Sequence, residues 1–128
     1  MKEAVILLCH GSIREQANVE TRAMWKRFKE QLPNLPLSGA FVEAAEPTLE
    51  QEVSARVAEG YDKIIVVPMF LSRGNHISNG IPRAVSRLQG SYEGVEIEVT
   101  KHLGADPLIA EIIKNLIREA GVDIDGKG

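Results

Sequence analysis

Apolar positions along this chain repeat with two periods. Ala4–Cys9 and Lys63–Val67 are nearly unbroken apolar runs, the pattern of strands buried on both faces. Leu37–Glu43 predicts a further strand, with Ala44-Ala45-Glu46 as the loop after it. Val95, Ile97 and Val99 alternate with Glu96, Glu98 and Thr100. That alternation predicts a strand with one wet face, at the edge of a sheet. Between the strands the period lengthens to that of a helix. Over Glu15–Leu32, residues Ala17, Met24, Phe28 and Leu32 form one stripe with Trp25 beside it, until Pro33 and Pro36 end the pattern. Leu49, Val53 and Val57 predict a helix over Thr48–Glu59, with Pro47 suited to its first turn and Gly60 to its stop. Pro82–Gln89 reads as a third helix with Ile81, Val85 and Leu88 inward, after a long loop over Met69–Asn79. Asp106-Pro107 opens the last helix. Leu108, Ile109, Ile112, Ile113, Leu116, Ile117 and Ala120 give it the strongest stripe in the chain.

Strand and helix thus alternate four times, which implies an α/β fold with a parallel sheet and helices on both faces. Right-handed crossovers and short loops favour strand order 2-1-3-4, a flavodoxin-like arrangement. In that order strands 1 and 3 are neighbours and the chain reverses direction between them. Ligands in open α/β sheets bind at such a switch point, beyond the carboxyl ends of the strands. His10 ends strand 1, His76 lies in the loop after strand 3, and Glu43 ends strand 2. Topology alone therefore predicts two imidazoles and a carboxylate around one crevice.

Composition narrows the picture without changing it. The length of 128 residues suits one domain, with residues 121–128 expected as a frayed tail. A net charge of −3 offers no basic footprint for nucleic acid. No apolar run approaches the ~20 residues of a membrane span. Cys9 is the one cysteine, which excludes an internal disulfide and fits a reducing compartment, so a cytoplasmic protein is expected. Cys9 itself reads as a small buried apolar residue.

Two histidines and a carboxylate at a cleft can hold a divalent metal, move protons, or do both. Imidazole is a good ligand for iron, cobalt, nickel and zinc, and as a class it also serves as a general base near neutral pH. Two imidazoles are too few for a closed structural site, whereas a loose, open site suits a protein that hands its metal on. Arg14 and Arg73 flank the two histidines and suit ligand carboxylates. Met69, Phe70 and Leu71 read as core or cleft wall. His102 follows strand 4, one strand away from the crevice, and reads as structural or exposed.

His10-Gly11-Ser12 follows an apolar strand, and Glu43 is followed by Pro47. Val67-Pro68-x-Phe70-Leu71-x-x-Gly74-x-His76, Ile81-Pro82 and Leu103-Gly104-x-Asp106-Pro107 complete the set. With these residues the chain resembles the small class II chelatases of the sirohydrochlorin chelatase (CbiX/SirB) family along nearly its whole length. The resemblance implies a chelatase-type half-unit that inserts Co²⁺, Fe²⁺ or Ni²⁺ into a sirohydrochlorin-type tetrapyrrole. The metal is then a substrate, and no permanently bound cofactor is expected. His10 and His76 would hold the metal and help take the pyrrole protons, and Glu43 would assist. Longer relatives contain two such units, which implies a homodimer with facing clefts for a chain of this length. Phe70, Leu71 and Ile77 would grip the macrocycle. Ser12, Arg14, Arg73 and Gly74 would meet its polar edge. Three positions depart from the pattern: Gly80 stands where the family usually has Asp before the Ile-Pro pair, Ile13 intervenes before Arg14, and Cys9 replaces a residue that is often Gly or Ala.

Two other functions compete. A non-catalytic metal or tetrapyrrole carrier on the same fold would bind without accelerating insertion. A histidine-based phosphoryl-transfer enzyme would want a phosphate cradle, and the chain has no Gly-rich P-loop.

Overall fold

A computed structural model describes residues 2–126. Four parallel strands form one sheet: β1 (Glu3–Cys9), β2 (Leu37–Phe41), β3 (Lys63–Pro68) and β4 (Glu96–Val99). The order is β2-β1-β3-β4, as the crossover argument requires. Leu8 of β1 pairs with Ala40 on one side and Pro68 on the other, so the central strands end level with one another.

The pleat sends alternate residues to opposite faces. Ile6, Leu8, Ala40, Ile64, Val66 and Ile97 form the main core. Helices α2 (Leu49–Ala58) and α3 (Ile81–Ser91) cover it with Leu49, Val53, Ile81 and Leu88. Helix α1 (Glu15–Gln31) covers the other face over β2. Its Trp25 ring lies 4.8 Å from the Phe41 ring and fills the space over Gly39, where a Cβ would overlap the indole. The Trp25 Nε1–H also reaches Cys9 Sγ at 3.3 Å. Cys9 is buried, and that burial pushes its thiol pKa up, partly offset by the indole bond.

Several elements differ from the sequence expectation. The inward side of α1 carries Asn18, Met24, Trp25 and Phe28, so Met24 and Phe28 of the expected stripe face in, while Ala17 and Leu32 are exposed. Trp25 joins them because its large ring finds a partner in Phe41 of β2. Pro47 does not enter a helix turn; Thr48 caps α2, with its hydroxyl and the Gln51 side chain forming a reciprocal capping box. The loop expected up to Asn79 contains a π-helical turn, His76–Gly80, that runs directly into α3. A short 3₁₀ turn, Leu103–Ala105, precedes helix α4 (Ile109–Glu119). Val99, expected on the apolar face of β4, is 36% exposed.

Helix α4 departs furthest. Its stripe is present, yet no residue of it is buried: Ile112, Ile113 and Leu116 are 53%, 52% and 58% exposed. Its main neighbour is the 3₁₀ turn rather than the sheet. On that side Ile65 and Val67 of β3 stay partly exposed. Of the tail expected over 121–128, the last two residues lie outside the described residues, and none of the described residues forms a helix long and apolar enough to cross a membrane.

Candidate functional site

His10 follows β1 directly and is held there from three directions. Its carbonyl accepts the Glu43 N–H at 3.1 Å, and the Cys9 carbonyl accepts the Val42 N–H at 2.8 Å. Gly11 then turns with φ of +90°, and a Cβ there would lie 1.9 Å from the Glu43 carbonyl oxygen. Only glycine permits both that conformation and that approach. Behind the turn sits Asn18, the buried polar residue of α1. Its Oδ1 accepts the Ser12 N–H at 2.9 Å, and its Nδ2 donates to the Ser12 carbonyl at 2.7 Å and to Glu15 at 3.2 Å. Asn18 thereby reproduces a backbone pairing with a side chain. The Ser12 hydroxyl accepts the Arg14 N–H at 3.0 Å, which braces the start of α1, and the Arg14 side chain is exposed.

His76 opens the π-helical turn after β3. The approach to it is anchored through Phe70, whose carbonyl accepts the Gly104 N–H at 2.9 Å. Gly104 is obligatory here because a Cβ would lie 1.7 Å from the Leu71 carbonyl oxygen. Beyond that clamp the loop opens into solvent. Leu71, Arg73 and Gly74 are exposed, and Ile77 is half-buried.

The two turns bring the imidazoles together. Their ring centroids are 4.8 Å apart, at 78° to each other. Glu43, two residues past the end of β2, lies between them: its Oε1 is 2.7 Å from His10 Nε2 and 3.7 Å from His76 Nε2. One ligand atom from each of the three falls within 4.8 Å of the others. Phe70 flanks both rings, at 6.0 Å from His10 and 6.4 Å from His76. The group is half-exposed, so a metal held here keeps open coordination positions. Two imidazoles and a carboxylate would suit a divalent ion such as iron, cobalt or nickel. Beside His10 an open cavity of about 370 Å³ is lined by Ser12, Asn18, Met24, Met69 and Leu103.

Of the expected residues, His10, Glu43, His76 and Phe70 converge. Ser12 lines the open cavity beside His10, Arg73 and Ile77 line a separate cavity, and Arg14, Leu71 and Gly74 are exposed. Sequence reasoning missed Asn18 and the backbone role of Gly104. The signal for Asn18 was present: a polar residue on the inward side of a helix, immediately after His-Gly-Ser.

The sequence model of the CbiX family, described simply as CbiX, matches residues 4–120. The chain belongs to the CbiX family. A sirohydrochlorin ferrochelatase from Priestia megaterium is 31% identical over 122 residues, covering 94% of this chain and 46% of that protein. A sirohydrochlorin cobaltochelatase from Methanopyrus kandleri is 30% identical and covers 91% of this chain and 96% of that protein. Among solved structures, SirB from Bacillus subtilis with Fe³⁺ superposes with a TM-score of 0.85 at 30% identity, over 96% of this chain and 49% of that one. The chain therefore spans about half the length of the Priestia protein and of SirB, and nearly all of the Methanopyrus one. A CbiX-type fold shared at this level carries the sheet, the crossovers and the crevice at the switch point.

Proposed function

We propose that this CbiX-family chain inserts a divalent metal, Co²⁺, Fe²⁺ or Ni²⁺, into a sirohydrochlorin-type tetrapyrrole. The observation that carries the reading is the His10–Glu43–His76 group, with its three ligand atoms within 4.8 Å at an open crevice. The names of the relatives, ferrochelatase and cobaltochelatase, supply the substrate class.

His10 Nε2 and Glu43 Oε1 stand 2.7 Å apart. A divalent ion needs the lone pairs of both imidazoles and an ionised carboxylate, so it competes with protons for these ligands. The ion then sits on His10 Nε2, His76 Nε2 and a Glu43 oxygen, with its remaining positions facing the crevice. Pyrrole nitrogens take those positions one after another. As the ion leaves an imidazole, that Nε2 lone pair becomes free to accept a pyrrole proton. The reaction balances as one divalent ion plus a macrocycle with two N–H groups, giving the metallated macrocycle and two protons. The imidazoles are therefore ligands first and bases second, and Glu43 stays within reach of both. Phe70, Leu71 and Ile77 form the apolar wall for the macrocycle. Ser12, Arg14, Arg73 and Gly74 line its polar approach.

Residues 1–128 act in this reading as one chelatase unit, cytoplasmic and without a resident cofactor, and two copies associate as a homodimer. What supports association is α4, whose apolar face no other described element covers. Fully burying one large aliphatic side chain is worth about 1.5–3 kcal/mol, so a second copy that covered Ile112, Ile113 and Leu116 would gain several such increments. Sedimentation equilibrium tests this directly: the wild type sediments as a dimer, and Ile113→Glu with Leu116→Glu shifts it to monomer. A monomeric wild type removes the dimer from the reading.

The activity test mixes protein, sirohydrochlorin and each metal separately under anaerobic conditions and follows the visible spectrum against a protein-free control. Acceleration with any of the three metals is expected. Spectral perturbation of the macrocycle with no acceleration would replace the enzyme with a carrier.

A further inference from the structure

A second cavity, of about 390 Å³, opens on the far edge of the turn that carries His76. One wall comes from that turn and α3, through Arg73, Ile77 and Val85. The other comes from the end of β4, through Thr100, Lys101 and His102. Its lining is unusual for a chain of net charge −3: it contains an arginine, a lysine, a histidine and a hydroxyl, and no carboxylate. Arg73 has no carboxylate partner among the described residues, and Lys101 has one exposed partner. Arg73 Nε reaches only the Ser78 hydroxyl, at a long 3.4 Å. Lys101 faces Asp106 at 3.4 Å with both side chains substantially exposed, an arrangement worth little in water. Aliphatic walls with cations at the rim match a short aliphatic arm that ends in a carboxylate. A phosphate would want a cradle of backbone N–H groups, and no glycine lines this cavity.

We propose that this cavity is a carboxylate subsite. Arg73 and Lys101 pair with the acid, Thr100 offers its hydroxyl, and Ile77 and Val85 hold the aliphatic arm. Within the function proposed above, on which the identity of the ligand rests, the arm is an acidic side chain of the macrocycle. Because Ile77 is the residue next to His76, an arm seated here positions the ring against the metal-holding group. The subsite would thus select for macrocycles by their peripheral acids, while His10, Glu43 and His76 act at the centre.

The experiment separates the subsite from the chelatase reading. Glutarate, a simple dicarboxylate, is titrated into the isotope-labelled protein, with inorganic phosphate as a parallel probe. Glutarate is expected to shift the backbone amides of Thr100, Lys101 and His102 saturably, and phosphate to do so far more weakly. Arg73→Gln with Lys101→Met, both at exposed positions, should weaken glutarate about tenfold while leaving the thermal melt and Co²⁺ binding unchanged; charge-assisted hydrogen bonds are worth about this much. In the insertion assay the same pair should raise the KM for sirohydrochlorin about tenfold, with the smaller change in kcat. No glutarate shift at these amides, or equal binding of phosphate, overturns the subsite. So does a double variant whose KM is unchanged. Glutarate binding that the double variant abolishes, in a protein that fails to insert metal, would sustain the subsite and overturn only the chelatase reading.

Discussion

The two histidine-bearing turns are built differently. The His10 turn is over-determined: Gly11 packs against the Glu43 carbonyl, two backbone bonds tie it to the end of β2, and Asn18 clamps Ser12 on both its N–H and its carbonyl. The His76 turn runs directly into α3 on one side, and on the other it is reached through an exposed stretch, residues 71–75, that is tied down only further back, through Gly104 on Phe70. Gly74 has no atom within 4 Å of a notional Cβ, and Gly80 only the His76 Nδ1, at 3.6 Å. Rigid elements hold a ligand in place, and loosely packed ones let it move. A site that must capture a metal and then release it gains from one fixed ligand and one adjustable ligand. The difference teaches that two similar sequence patterns, each a strand followed by a histidine, acquire unlike mechanical roles from what packs behind them.

The largest test of this asymmetry removes each imidazole in turn. His10→Ala and His76→Ala should both lower metal insertion by about 10²–10⁴-fold, the range for removing a proton-transferring side chain. The His10 variant should lose more Co²⁺ affinity, because a water fits more readily at the looser His76 position. Calorimetric titration checks this, and equal losses would remove the distinction between the turns.

Next is the contrast between glycines. Gly11→Ala must fit a Cβ 1.9 Å from a carbonyl at positive φ, whereas Gly74→Ala meets nothing. The first should cost more than about 2 kcal/mol of stability and the second well under about 1 kcal/mol. Urea melts followed by circular dichroism measure both, and comparable values would contradict the described packing.

Asn18→Ala leaves the Ser12 N–H and carbonyl unpaired in a half-buried position, which costs about 1–3 kcal/mol. Insertion should fall along with stability, since the His10 turn loses its support. Asn18→Asp restores the acceptor to Ser12 N–H but not the donors, and should recover only part of the loss. Full activity in Asn18→Ala would mean that the backbone bonds to Glu43 suffice.

A smaller, opposite effect is expected at Gly80. A carboxylate there lies within reach of His76 Nδ1, and acids that orient a ligand histidine alter metal affinity by about 10–100-fold. Gly80→Asp should tighten Co²⁺ binding toward the lower end of that range. Unchanged affinity would show that the turn is already held well enough.

The smallest effect is a pH dependence at the start of α1. The guanidinium of Arg22, and then the Asn18 amide, hold the Glu15 carboxyl below its ordinary value of 4.5. A carboxyl depressed in the folded state contributes stability that is present above its unfolded pKa and is lost as pH falls through the folded one. The Asp106 carboxyl is lowered likewise, first by the Leu108 N–H. Both should titrate below their reference values in carbonyl-detected NMR, and Arg22→Gln should return Glu15 toward 4.5.

Hydrophobic periodicity alone determined the four strands, the four helices and, with the handedness of crossovers, the order β2-β1-β3-β4. These depend on local pattern and on a chirality rule that every chain obeys, and they suffice to aim His10, Glu43 and His76 at one crevice. Whether an inward-looking polar residue would clamp a turn was decided only by tertiary structure, because Asn18 gains its meaning from Ser12 standing opposite it. The spacing of the three ligand atoms was decided there too, since it depends on where Glu43 falls two residues beyond its strand. So was the exposure of α4: periodicity says that a helix has an apolar face, and only the packed molecule says whether anything in the same chain covers it.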